Sequence, residues 1–500
     1  MHRKGEAMRH VPALPTYDKD ATTRVLCSSV HLDDGFARYA HQELSGDRLT
    51  ATGLPLGVNL LALARHAARA TRRTDLRDRR LAWLCAGWWL AVLTAVGGLA
   101  GGSPALAGGA VVVLLLVLGC SWWLVRRTEA QGRAEALEAR FSANRPQDLV
   151  PEVADDVERR LRGLRRPNMM PYTRSAEREN PFVGSGSKIK ETVWQPIDIS
   201  RPADAPGGGK KTLIPFDAVD LHTYLARELG NLAGLEGLRA QNRLYVIGPQ
   251  VYYLGDDVLP DRLRPPNSEI PPPLVKAGLL RPGVGTRTYL SLERVGEGGR
   301  VIVSMYLRAR LQHPSLSWEV AAYCIPPLHA RYYGSDYLPR DGFERVWSLI
   351  RFATSHTWSA LTGAPGRIAR RNSANRLRAR ALEKWRKEIT KKHALYDYGA
   401  TDSLRERVAS WDQLGHSERT DSQDFLHRLQ QGVLIATERF LTDHNVDTSS
   451  FDRAEQVINT QTYNISGDIT GPSNIGNNGQ ISASYGQGPQ APAASAGGSP

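Results

Sequence analysis

Two stretches of this 500-residue chain set glycines beside lysine in the manner of a phosphate-binding loop. They are Asn180-Pro181-Phe182-Val183-Gly184-Ser185-Gly186-Ser187-Lys188 and Gly207-Gly208-Gly209-Lys210-Lys211-Thr212. Such a loop turns successive backbone N–H groups toward an anion at the start of a helix, which requires G-x-x-x-x-G-K-[ST] between a strand and a helix. Neither stretch has that spacing. The first runs on into Thr192-Val193-Trp194, which reads as a strand, and the second follows a proline-rich loop. Asp256-Asp257 follows a strand and Gly255, so it could offer carboxylates at a strand end, although such a pair more often belongs to a turn. The 13 histidines contain no HxH, HxxH or HExxH grouping, so a local metal motif is absent. Cys27, Cys85, Cys120 and Cys324 contain no CxxC pair, which argues against a zinc site and a disulfide framework and fits a reducing cytoplasm. There is no G-x-S-x-G elbow. Cys324 and His356 sit in apolar surroundings and read as core. These residues specify no reaction, cofactor or metal; a site gathered from distant positions would depend on the fold.

The element that must position everything else runs from Leu81 to Val125, without one Asp, Glu, Lys, Arg or His. It divides into Leu81–Ala100 and Ala105–Val125 around Gly101-Gly102-Ser103-Pro104. A hydrocarbon core about 30 Å thick takes roughly 20 helical residues, so each block is long enough to cross once. Inside lipid each segment must satisfy its own backbone hydrogen bonds, which predicts a helical hairpin. Arginine stands at 65, 69, 72, 73, 77, 79 and 80 before it, and at 126, 127 and 133 after it, while the turn is uncharged. Positive flanks stay inside, so the expectation is a multi-pass plasma-membrane (inner-membrane) protein with both termini cytoplasmic. Trp83, Trp122 and Trp123 fall near that boundary. Gly87, Ala91 and Ala95 form a four-spaced row of small residues suited to close helix packing. Cys85 and Cys120 should lie at similar depth, as packing residues or as a redox or lipidated pair. No cleavable signal is seen at the polar N-terminus, so the hairpin itself would direct insertion.

The net charge of +13 is local. Residues 65–80 carry seven Arg against two Asp, and residues 367–392 carry eleven Lys/Arg against two Glu, so the rest of the chain is close to neutral. Val58, Leu60, Leu61, Ala64, Ala68 and Leu76 set against those arginines predict a basic amphipathic helix running into the hairpin, against anionic lipid or as a solvated linker. For 367–392 the candidates are lipid-surface docking, a solvated helix with core contacts, and nucleic acid, the last disfavoured by the lack of aromatic interleaving or a reading module. The expected lipid-contact residues are Arg69, Arg72, Arg73, Arg77, Arg376, Arg378, Arg380, Lys384, Arg386 and Lys387.

In chain order the expected divisions are a polar N-terminal region (1–57, with 1–35 poorly ordered), the basic juxtamembrane helix (58–80), the hairpin (81–125), a helical linker (126–166), an α+β domain (167–366), a helical region with the basic helix (367–460) and a flexible Gly/Asn-rich tail (461–500). Within the α+β domain strands are expected at Val193–Ile199, Leu244–Ile247, Arg287–Val295, Arg300–Leu311 and Leu316–Ile325. The second- and third-last of these are joined by the turn Gly296-Glu297-Gly298-Gly299. Helices are expected from the cap Asp217 to Leu232, over 341–362, and over 425–444. The fold class is thus an α+β cytoplasmic domain, its sheet at least partly antiparallel, on a two-helix transmembrane hairpin.

The tail repeats Asn-Ile at 464 and 474 among Gly and Asn, a composition that favours pairing between chains. It is similar in style to bacterial amyloid-type signalling motifs, with Gly479-Gln480-Ile481 in place of their Val-Gln or Ile-Gln core. Self-association or a protein partner is therefore expected through residues 461–484. The hairpin, Asn180–Gly186, Tyr396-Asp397-Tyr398-Gly399-Ala400 and Ser403-Leu404-Arg405-Glu406 together resemble a group of uncharacterised actinobacterial two-span membrane proteins, over about residues 80–460. That resemblance implies a membrane location. The expected function is a non-enzymatic anchoring, scaffolding or signalling protein; the alternative is a membrane-tethered enzyme with a pocket around Asn180–Gly186 and Asp256-Asp257.

Overall fold

Residues 286–325, rich in β-branched and aromatic side chains, build the centre of the molecule. The computed structural model describes residues 20–174, 180–232, 234–340 and 342–451. Among these, seven strands form one mixed sheet: β1 (Met169–Tyr172), β2 (Ser187–Val193), β3 (Ile197–Asp198), β4 (Leu238–Ile247), β5 (Thr286–Val295), β6 (Ile302–Gln312) and β7 (Ser315–Ile325). The order is β1-β4-β5-β6-β7-β2, with β3 also on β7; β1 runs parallel to β4 and the other pairs are antiparallel. The expected β5–β6 turn is present, with Gly298 and Gly299 at positive φ, a conformation glycine adopts without a Cβ penalty.

The helices are α1 (Ala21–Leu32), α2 (Asp34–Ser45), α3 (Leu60–Ala100), α4 (Pro104–Phe141), α5 (Asp155–Gly163), α6 (Ala218–Leu229), α7 (Pro272–Leu280), α8 (Gly342–Lys392), the single turn α9 (Leu404–Arg407) and α10 (His416–Asp443). The period-2 rule sorts the sheet residues. Leu290, Leu292, Val303, Met305, Leu307, Trp318 and Val320 face α6 and α10, which cover them with Leu221, Leu225, Phe425, Leu429, Val433 and Phe440. Tyr245, Tyr289, Tyr306 and Tyr323 take the opposite face. Asp217 caps α6 as its position predicts, within a capping box completed by Asp220.

Four expectations change. The strand expected over Val193–Ile199 is interrupted at Trp194–Pro196, between the end of β2 and the two-residue β3, because proline cannot donate to the ladder. Residues 21–31 are helical and buried: α1 and α2 pack Val25, Leu26, Val30, Phe36 and Leu44 on the first half of α3. Composition hid this because α1 buries its polar side chains as well, with Thr22 donating to the Gly298 carbonyl and Arg24 to the carbonyls of Ser142 and Asn144. The proline-rich connection contains α7, whose prolines occupy the first turn, where no N–H is needed. Finally, the helices expected over 341–362 and 367–392 are one, α8, which continues through Pro365. Residues 1–19 and the tail segment 461–484 lie outside the described residues.

Candidate membrane interface

The α3–α4 hairpin is long and apolar enough to cross a membrane twice. Its 41-residue α3 extends about 60 Å at 1.5 Å per residue, so only its second half is needed to span. The seam between the helices is made of small side chains: Ala91, Gly98, Ala107 and Ala110 are buried. A Cβ on Gly98 would lie 3.0 Å from the Ala107 nitrogen, whereas one on Gly87 would meet nothing within 4 Å. Ala91 thus lies in the seam, Ala95 is half-buried beside it, and Gly87 stands outside it. Large apolar residues point away from the protein: Leu90 is 67% exposed, Leu93 68%, Leu99 71% and Leu115 65%. Cys85 is buried against α8 and Cys120 is exposed, so the two do not share an environment.

α8 crosses the base of this hairpin. On the α4 side Ser348 accepts from Arg133 at 2.9 Å and Thr354 accepts from the Trp122 indole at 3.2 Å. On the α3 side Trp358 meets Trp88 edge-on at 5.3 Å, and Arg367 and Arg371 reach Asp78. Ala353, Leu361 and Ala364 are buried between, against Leu81, Cys85 and Leu124. Contacts on both sides of Pro365 explain why the helix persists through a residue that removes one hydrogen bond and clashes with the preceding turn. The outer face of this crossing segment carries Phe343, 82% exposed, with Trp347 and Trp358 more than half exposed. These residues therefore stand at the hairpin's base and not in the core of the sheet domain.

The arginines beside the hairpin divide into two sets. Arg69 and Arg73 both pair with Glu135, Arg77 with Asp34 and Asp78, Arg386 with Asp47 and Lys387 with Glu383. Arg72, Arg376, Arg378, Arg380 and Lys384 are exposed and have no acidic partner among the described residues. Asp78, fully buried three residues before the apolar run, gathers Arg77, Arg367 and Arg371 and so ties α8 to α3.

The phrases that suggested chemistry are structural. Phe182 is buried among the tyrosines, stacked on Tyr306 at 4.1 Å. The Gly184 and Gly186 N–H groups donate to one Glu406 oxygen at 3.0 and 2.9 Å. This loop does turn its amides toward an anion, and the anion is a side chain of the protein. Both glycines have positive φ and approach backbone so closely that a Cβ would overlap Leu54 or Cys324. Asn180–Gly186 and Ser403–Glu406, more than 200 residues apart, are thus halves of one contact. Tyr396–Ala400 joins them from the sheet edge: Asp397 accepts from Thr173 and Gly399, and Ala400 bridges Tyr172. Gly207–Thr212 forms an exposed turn closed by a Lys210–Asp204 ion pair, and Asp256 and Asp257 sit on an exposed turn after Gly255. Among the described residues no group of three or more His, Cys, Asp or Glu side chains could hold a metal ion.

Residues 193–478, more than half of the chain, match the family described as AbeC-like domain. The chain belongs to that family. The AbeC-like domain begins at Val193, the last residue of β2, and takes in β3–β7 and α6–α10. The hairpin and the helices that precede it lie outside the match, while α8, which grips the hairpin, lies inside it. Neither curated proteins nor solved structures give a match. Sequence reading missed the bond between the two halves of the Glu406 contact because nothing in a linear pattern marks an acceptor so far from its donors. The Asp78 cluster had a signal: two aspartates inside an arginine run, at 75 and 78.

Proposed function

We propose that this chain is an integral plasma-membrane protein whose α3–α4 hairpin holds the AbeC-like domain at the cytoplasmic face, as an anchoring, scaffolding or signalling component like the two-span membrane proteins it resembles. The observation that carries this reading is the outward-facing, uncharged apolar surface of the hairpin. Contiguous apolar surface of that extent is rare on soluble proteins, whereas it is at home in lipid. The arginine flanks favour the cytoplasmic side for both termini. Trp358 on α8, against Trp88, adds an aromatic ring near the boundary where amphipathic rings prefer to sit. Arg376, Arg380 and Lys384 then face anionic lipid, each worth about 1 kcal/mol near such a surface.

Nothing favours the enzymatic alternative at its named positions, since the Asn180–Gly186 loop is filled by Phe182 and Glu406 and Asp256-Asp257 lies on an open turn. Alkaline carbonate washing of membranes tests the anchor: the chain should remain in the pellet, and release into the supernatant would overturn the reading. Residues 461–484 are proposed as the segment that recruits a partner or a second copy; an unchanged sedimentation profile after deletion of 461–500 would discard that role.

A further inference from the structure

The basic half of α8 is pinned at two places. Arg371 holds Asp75 and Asp78 on α3 at one end, and Arg386 holds Asp47, just after α2, at the other. Residues 372–385 between them are exposed apart from the half-buried Leu382. This segment spans like a strap, and a groove of about 1240 Å3 runs beneath it between α2 and α3. Six arginines and two aspartates border the groove, an excess of four positive charges. Arg38, Arg371 and Arg386 are committed to those aspartates. Arg72, Arg79 and Arg378 are exposed and have no acidic partner among the described residues. Leu76, Ile368 and Leu382 supply an apolar lining. His41, also on the wall, has its Nδ1 buried without a hydrogen-bond partner among the described residues.

We propose that this groove binds the anionic headgroup of a phospholipid, with the phosphate against Arg72, Arg79 and Arg378. The guanidinium fork matches a phosphate bidentately, and three uncommitted forks around one concave space form a site where scattered surface charge would not. The choice of a lipid rests on the membrane reading above. Arg79 lies two residues before the uncharged run begins at Leu81, which places the mouth of the groove at headgroup depth, and the apolar lining suits the glycerol end of the lipid.

Thermal unfolding of the full-length chain in a neutral detergent tests this, with dioctanoyl phosphatidylglycerol, dioctanoyl phosphatidylcholine and inorganic pyrophosphate as probes. The expected result is a saturable rise in Tm with phosphatidylglycerol and none with phosphatidylcholine. Arg72→Gln/Arg378→Gln should weaken the apparent affinity about thirtyfold, and both residues are exposed and without an acidic partner among the described residues, so the fold does not depend on them. Lys391→Gln/Lys392→Gln, at the far end of α8 and outside the groove, should leave it unchanged. Equal loss in both double variants would reduce the effect to diffuse charge and overturn the proposal, as would equal responses to the two lipids or no response. A response to pyrophosphate matching that to phosphatidylglycerol would overturn the lipid assignment. If the chain proves soluble without detergent, the anchor reading fails while the same titration still reports on the groove.

Discussion

Single side chains in this protein are placed so that a charge or a proton is answered from a distant part of the chain. Glu406 is the clearest case, because it closes the glycine loop whose N–H groups would otherwise face the interior unpaired. Glu406→Ala should cost about 1–3 kcal/mol through those orphaned donors, read as a lower Tm, and an unchanged Tm would show that water replaces the carboxylate. A second case is the line Pro146 O, His66, His31, Glu135, with gaps of 2.9, 2.8 and 3.2 Å. Arg73 lies beside this line, within 3.3 Å of His31 Nδ1 and donating to Glu135. Burial, with help from the neighbouring His31, pushes His66 down to about 4, and burial lowers His31 as well. Glu135 would be raised by burial, but hydrogen bonds with His31 and Arg69 and the charge of Arg73 bring it to about 2. The sign follows from linkage. Below about pH 6.5 the unfolded chain takes up protons that the folded imidazoles refuse, so stability falls between pH 6.5 and 4, by about 3 kcal/mol for His66 alone. Glu135 extends the loss from about 4.5 toward 2. A Tm profile over pH 7 to 4.5 should slope downward with acid, less steeply in His66→Gln; parallel profiles would remove the imidazoles as the cause.

Elements show the same dependence on distant partners. The hairpin helices approach closely near their tips, where Gly98 faces Ala107 and Leu106. Without a hydrophobic force between helices in lipid, close packing of small residues has to hold such a pair together. Gly98→Val should therefore splay the tips and destabilise by about 1–3 kcal/mol, measured as a lower Tm in detergent, while Gly87→Val should have no effect because its added atoms enter open space. Equal effects would mean that the four-spaced row, not the observed seam, packs the hairpin. α8 is one helix for a reason outside its own residues. Gly363, Pro365 and Gly366 argue for a break, and the burial of Leu361 and Ala364 with the Arg367 and Arg371 ion pairs on α3 holds both sides in line.

At the scale of the molecule the hairpin, the crossing helix and the sheet domain are stacked so that arginine accumulates on one side of an uncharged layer. This arrangement predicts topology. A cysteine introduced at Ser103→Cys, in the turn between the helices, should react with an impermeant maleimide added to intact cells. The native cysteines should give little background, because Cys27, Cys85 and Cys324 are buried and Cys120 stands inside the uncharged run of α4, which the anchor reading puts in lipid. Labelling only after the cells are broken would reverse the orientation.

The apolar hairpin, the charge-poor turn, the β5–β6–β7 meander and the capped α6 were legible in the sequence, because each is written in the spacing of neighbouring residues: long uncharged runs, period-2 alternation, a glycine turn, an aspartate before a helix. What only the tertiary structure decided concerns partners far apart in the chain. Those are the buried polar face of α1, the continuity of α8, the pairing of Arg69, Arg73 and Arg77 with acids, and the filling of the Asn180–Gly186 loop by Glu406. A hydrogen bond or ion pair depends on where two groups meet in space, and a linear pattern carries no record of that distance.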